Sequence, residues 1–202
     1  MSECGCQIEI KDKAESRVLL TLLTINAMMF LTEIVMGIIS DSTALIADSL
    51  DMLADATVYA LGLYAVGRPM LAKVRAAHMS GVFQITLGAM VAMDVLRRFI
   101  FGSEPESLLM MIVGLLALAA NVSCLILIAK HKQGEVHMRA SWVFSKNDVI
   151  ANLGIILAGV MVYLSGSRLP DLVIGMFIAM VVIRGGLHIV KDAKNEKQQL
   201  TG

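Results

Sequence analysis

The chain is predicted to be an all-α membrane protein, a bundle of six transmembrane helices with the N and C termini cytoplasmic. Three observations predict this. The composition is 57% hydrophobic and only 17% charged, with a mean hydropathy of +0.75, outside the usual range of a soluble domain. Six apolar segments of about 20 residues or more, each long enough to cross a bilayer, follow one another with short polar breaks between them. The basic residues gather in alternate breaks, as the cytoplasmic bias of Lys and Arg requires. Seventeen Lys and Arg balance seventeen Asp and Glu, and no basic patch with interleaved aromatics is present, so no nucleic-acid partner is expected.

Residues 1–17 read as a cytoplasmic leader, whose Glu3, Glu9, Asp12 and Glu15 exclude a cleavable signal peptide. The leader also carries Cys4 and Cys6, a Cys-x-Cys pair suited to receiving a soft metal, although two thiols in a tail are more often inert. The first span, 18–40, contains Glu33 and ends in Ser40-Asp41-Ser42. The second, 43–67, reads TALIADSLDMLADATVYALGLYAVG and carries Asp48, Asp51 and Asp55; Gly67-Arg68-Pro69 closes it. The third, 78–101, ends in Asp94, Arg97 and Arg98, whose i, i+3 and i, i+4 spacing predicts an interfacial ion pair. Gly102 to Pro105 leads to the fourth, 107–129, in which Cys124 reads as core packing and Asn121 as a brace between helices. His131 and His137 follow in a basic loop that could feed metal towards the fifth span, 140–165, with its group Lys146, Asn147, Asp148 and Asn152. The sixth, 170–190, is followed by a short cytoplasmic tail, 191–202, with no C-terminal domain expected. The whole of 18–190 forms the transmembrane domain. The fifteen Met scatter around the helices and read as apolar packing rather than a copper path.

Orientation follows from the basic residues. Lys11, Lys13, Arg17, Arg68, Lys73, Arg75, Lys130, Lys132, Arg139, Lys191, Lys194 and Lys197 fall on one side of a six-span chain, against Arg97, Arg98 and Arg168 on the other. Asp41, Glu104, Glu106 and Asp171 then lie at the outer face.

The aspartates of the second span need a reason. A charged carboxylate near the bilayer centre costs about 2.5–3.5 kcal/mol on insertion scales. At 100° per residue Asp48, Asp51 and Asp55 lie within a sector of about 60°, one stripe that can face the bundle interior. Asp148 and Asn152 share a face of the fifth span. Counted along their helices at 1.5 Å per residue, Asp55 and Asp148 both fall near mid-membrane. Converging carboxylates at that depth mean a cation site, a proton relay, or pairing with a basic residue. Lys146 is the one basic residue deep in a span and can neutralise one carboxylate, so a mobile positive species is implied. A divalent cation suits carboxylate and amide oxygens; protonated carboxyls in a structural network are the alternative.

The stretch from Asn26 to Asp55, NAMMFLTEIVMGIISDSTALIADSLDMLAD, resembles the first two helices of the cation diffusion facilitator family, six-helix metal/proton antiporters, on Asn26, Phe30, Glu33, Gly37, Ser40, Ser42, Ala44, Leu45, Ala47, Asp48, Asp51 and Asp55. The resemblance extends over roughly 15–195. It implies metal ligands at Asp51 and Asp55 from the family's Asp-x-x-x-Asp pair in the second helix, and at Asp148 from the fifth. Where the family usually has His or Asp, four residues before Asp148, this chain has Phe144, which offers no lone pair. Asn147 is the nearest substitute in sequence; Asn152, a water, or Asp48 or Glu33 leaning in are others. Without a His, the carboxylates must act as ligand and proton carrier together.

The expected function is efflux of a divalent metal from the cytoplasm, Zn2+ with Cd2+ first and Co2+, Fe2+ or Mn2+ held open, coupled to protons, with no prosthetic group. The expected setting is a multi-pass protein of the bacterial inner (plasma) membrane, in contact with lipid and homodimeric through its membrane helices. A metal-binding sensor or scaffold without transport is the alternative. An intramembrane aspartyl hydrolase is disfavoured, because such enzymes carry Gly-Asp or Tyr-Asp signatures and neither dipeptide occurs.

Overall fold

The computed structural model describes residues 3–65, 68–129 and 136–201; the side chains of 3–15, 65, 73, 136–145 and 199–201 lie outside that description. Six helices follow in chain order: α1 Glu3–Ile39, α2 Thr43–Ala65, α3 Met70–Phe101, α4 Ser107–Ala129, α5 Val136–Ser165 and α6 Leu169–Thr201. No strand occurs among the described residues. The helices overrun the apolar segments on the side read as cytoplasmic: α1 starts at Glu3, α3 at Met70 and α5 at Val136, while α6 continues to Thr201. An apolar run marks the membrane crossing, not the end of the intrahelical hydrogen bonding, so polar turns extend each rod into water.

Polarity is distributed as a membrane requires. Large apolar side chains face outward, among them Ile39, Met93, Phe101, Leu115, Ile126 and Val173, each more than half exposed. Polar groups are turned inward: Asn26, Glu33, Asp48, Asp55, Asn121, Asp148 and Asn152 are all buried. Five helices, α1 and α3 to α6, contain spans long and apolar enough to cross a bilayer. The helix outside that set is α2, whose three aspartates interrupt its apolar run. Its burial supplies what its composition lacks, because α2 packs against all five other helices.

Among the remaining contacts the most extensive pair α3 with α6 and α4 with α5, and smaller ones join α5 to α6 and α1 to α4. Between α3 and α6 the backbones approach closely. A Cβ on Gly186 would stand 2.7 Å from the Gly81 carbonyl oxygen, and one on Gly81 would stand 2.9 Å from the Gly186 oxygen, so this crossing needs residues without side chains.

On the side read as outer, turns end α1, α3 and α5 at residues of positive φ: Asp41 at 50°, Gly102 at 98° and Gly166 at 63°. Asp is one of the few side chains that tolerates this region. Here Asp41 also works as a tie: its side chain accepts from the Arg98 guanidinium and from the Glu104 backbone N–H. Arg98 in turn donates to Asp94 at 2.7 Å, and Arg97 to Asp94 at 2.9 Å, the pairing that the sequence spacing predicts.

Two apolar clusters fill the interior. One holds Ala44, Leu45, Met110, Val113, Ile155, Ala158 and Ile178; the other holds Leu19, Leu22, Tyr59, Cys124 and Ile128. Along α2 the aspartates lie between these clusters, and along α4 so does Asn121. The buried polar side chains therefore form a layer with apolar packing above and below it.

Candidate metal centre

The layer begins on α2, where Asp48, Asp51 and Asp55 are 0%, 7% and 2% exposed. The stripe exists because i, i+3 and i, i+7 positions share a helix face. A cap supplied from another helix holds α2 in position. Asp171 at the start of α6 accepts from Ser42 Oγ at 2.6 Å and from the backbone N–H groups of Thr43 at 2.7 Å and Ala44 at 3.0 Å. These are first-turn donors that lack intrahelical partners, and a carboxylate is a favoured acceptor there. The sequence reading placed Asp171 only as an outer acidic residue; a cap from a residue 129 positions away leaves no local signal.

From α5, Asp148 reaches the layer and comes within hydrogen-bonding reach of Asp55. Asp51 is close enough to both to repel each electrostatically. The Tyr59 hydroxyl, one turn further along α2, donates to Asp55 Oδ2 at 3.3 Å. Asp51, Asp55 and Asp148, named from the sequence as ligands, therefore occupy one neighbourhood. Carboxyl groups brought this close, with a third nearby, are stabilised by a proton or a cation between them. Among the described residues, no three His, Cys, Asp or Glu side chains are already gathered into a complete ligand set, so ligation would require these groups to close further around the ion.

The other named residues separate into groups. Asn147 is half-buried beside Asp148, whereas Lys146 is exposed. Asn152 is engaged on both sides of its amide, donating to Asp48 Oδ2 at 2.8 Å and accepting from Asn121 Nδ2 at 3.3 Å. Asn121 is thus the interhelical brace that its sequence position suggests. Glu33, from α1, is within hydrogen-bonding reach of Asp48. Asn26, two turns before Glu33, donates to Leu22 O at 2.9 Å and to Cys124 Sγ at 3.9 Å. The side chains of Cys4, Cys6, His137 and Phe144, and the whole of His131, lie outside the described residues.

Comparison with known proteins bears on this arrangement. The profile of the cation efflux transmembrane domain matches residues 19–69 and 72–196. The chain is 24% identical over 178 residues to a cadmium, cobalt and zinc/H(+)-K(+) antiporter of Bacillus velezensis, covering 80% of this chain and 56% of that protein. It is 25% identical over 194 residues to the zinc transporter ZitB of Escherichia coli, covering 90% and 62%. With the vacuolar zinc transporter ZRC1 of Saccharomyces cerevisiae it shares 32% identity over 136 residues, covering 59% and 30%. The chain thus spans less than two thirds of the length of these curated relatives.

Proposed function

The chain belongs to the cation efflux family, the cation diffusion facilitators, and on that premise we propose that it is a secondary active transporter exporting a divalent metal, Zn2+ first and Cd2+ next, in exchange for protons. It is a multi-pass integral membrane protein, and its bacterial relatives support the bacterial plasma membrane as its location. The observation that carries the reading is the meeting of Asp55 from α2 with Asp148 from α5, beside Asp51, in a buried polar layer.

Asp51, Asp55 and Asp148 bind the metal through carboxylate oxygens. Asn147 or a water completes the set, since Phe144 has no donor atom. Metal binding displaces protons from these carboxyls, and protons returning from the outer side displace the metal. Both termini lie in the cytoplasm, as the Lys and Arg bias suggests, and two copies associate through their membrane helices. Relatives named for zinc, cadmium and cobalt support this order of substrates, while an all-oxygen donor set also suits Mn2+ and Fe2+.

The test is uptake of Zn2+, Cd2+, Co2+, Mn2+ and Fe2+ into proteoliposomes under an imposed proton gradient, with Asp51→Ala and Asp148→Ala beside the intact protein. Gradient-driven flux of at least one metal, lost in both variants, is the expected result. Saturable metal binding with equal leak in all three would instead identify a sensor or scaffold.

A further inference from the structure

Glu33 and Asp48 adjoin the Asp51, Asp55 and Asp148 group, and Asp48 is near enough to all three to repel them electrostatically. Glu33 and Asp48 are both 0% exposed. Asp48 precedes Asp51 by three residues, about 4.5 Å of helix rise towards the outer side, and Glu33 lies six residues before the outer end of α1 at Ile39. The two carboxyls come from different helices and are within hydrogen-bonding reach of each other. Three of their four oxygens, Glu33 Oε1, Glu33 Oε2 and Asp48 Oδ1, receive no hydrogen bond from any donor. The fourth, Asp48 Oδ2, is held by Asn152 Nδ2 at 2.8 Å, which fixes the Asp48 rotamer with its other oxygen free. Among the described residues, no ion pair involves either carboxyl.

Buried acceptors without donors or countercharge are strongly destabilising, and a positive occupant relieves both deficits. A proton shared between the two carboxyls satisfies one oxygen of each and leaves the second Glu33 oxygen without a partner. A divalent cation satisfies all three at once, bidentate to Glu33 and monodentate to Asp48, a common carboxylate arrangement. We infer that Glu33 and Asp48, positioned by Asn152, form a second divalent-cation site outward of the first, where the metal pauses between the Asp51, Asp55 and Asp148 group and release. The choice of ion rests on the metal-transport reading; the site itself rests on the unpartnered oxygens.

The test is equilibrium binding of Co2+ to the full chain in detergent micelles at neutral pH, read by visible absorption and by metal counted per chain after gel filtration. The variants are Glu33→Gln, Asp48→Asn and the double variant Asp55→Ala/Asp148→Ala. Glu33→Gln and Asp48→Asn preserve shape, and only monodisperse protein is scored. About two ions per chain are expected for the intact protein. About one should remain in Glu33→Gln and in Asp48→Asn, and about one in the double variant, with a different visible spectrum because the remaining site differs. Unchanged stoichiometry in both Glu33→Gln and Asp48→Asn overturns the second site. A double variant that binds as much as the intact protein overturns the first site instead, so the two readings fail separately.

Discussion

At the scale of single residues, the arrangement depends on carboxylates whose partners come from other helices. Asp171 is the clearest case, since its two oxygens serve Ser42, Thr43 and Ala44 at the start of α2, and that start sets the height of Asp48, Asp51 and Asp55. Replacing Asp171 by Ala strands these buried donors, at a cost of about 1–3 kcal/mol. Asp171→Asn keeps one acceptor oxygen and should lose less. Thermal unfolding in detergent should therefore rank intact protein above Asn above Ala; equal losses for Asn and Ala would mean that the acceptor oxygens are not what the site uses. The Tyr59 hydroxyl bond to Asp55, at 3.3 Å, is long for an O–H donor. Tyr59→Phe should change metal affinity by less than about tenfold, whereas Asp55→Ala should abolish binding at the Asp51, Asp55 and Asp148 group and leave only the Glu33–Asp48 component, as titration calorimetry would read.

At the scale of elements, α2 sets the geometry of the site. In α2, the three aspartates, not any shortage of apolar residues, count against a membrane span, and its contacts with all five neighbours make those aspartates tolerable. The stripe of those aspartates was legible, because helical periodicity converts spacing directly into a shared face. Asp148 was legible through its place in the family pattern. The approach of Glu33 to Asp48 was not, since it depends on where α1 sits against α2. The cap by Asp171 and the Asn26 contact with Cys124 were equally hidden, each joining residues far apart in sequence. The close crossing of α3 and α6 was invisible for the same reason: Gly81 and Gly186 become significant only when opposed. A Cβ on Gly81 would meet Val190 Cγ2 at 2.8 Å and the Gly186 oxygen at 2.9 Å. Gly81→Ala therefore forces the pair apart and should destabilise the bundle by about 1–3 kcal/mol. Gly166→Ala, with no atom within 4 Å but φ at 63°, strains only its own turn. Comparing the unfolding midpoints of the two variants after reconstitution into the same detergent, with flux measured alongside, would separate a packing effect at the crossing from a local backbone effect.

For the whole molecule, the polar layer and its surroundings have to be considered together. Apolar clusters lie on either side of the layer. At the outer end, Arg98 ties α3 to Asp41 at the α1–α2 turn, and Asp171 ties α6 to the start of α2. The end of the bundle read as outer is thus closed by polar contacts that water can replace, whereas the carboxyls beneath are buried. If the chain exports metal as proposed, outward release requires those ties to part, and protons arriving from outside reach the carboxyls by the same opening. This gives a definite sign for pH. On the same proposal metal and protons compete for the same oxygens, so each metal bound expels protons and its apparent affinity falls as pH falls. Calorimetry in two buffers of different ionisation enthalpy should show net proton release on Zn2+ binding, with affinity weakening steadily towards acid pH. In Asp55→Asn/Asp148→Asn the neutral amides have no proton to give, and the remaining release should drop along with gradient-driven flux. An affinity independent of pH, with no heat difference between buffers, would mean that the carboxyls are not the proton carriers, and coupling would have to run through groups outside the layer.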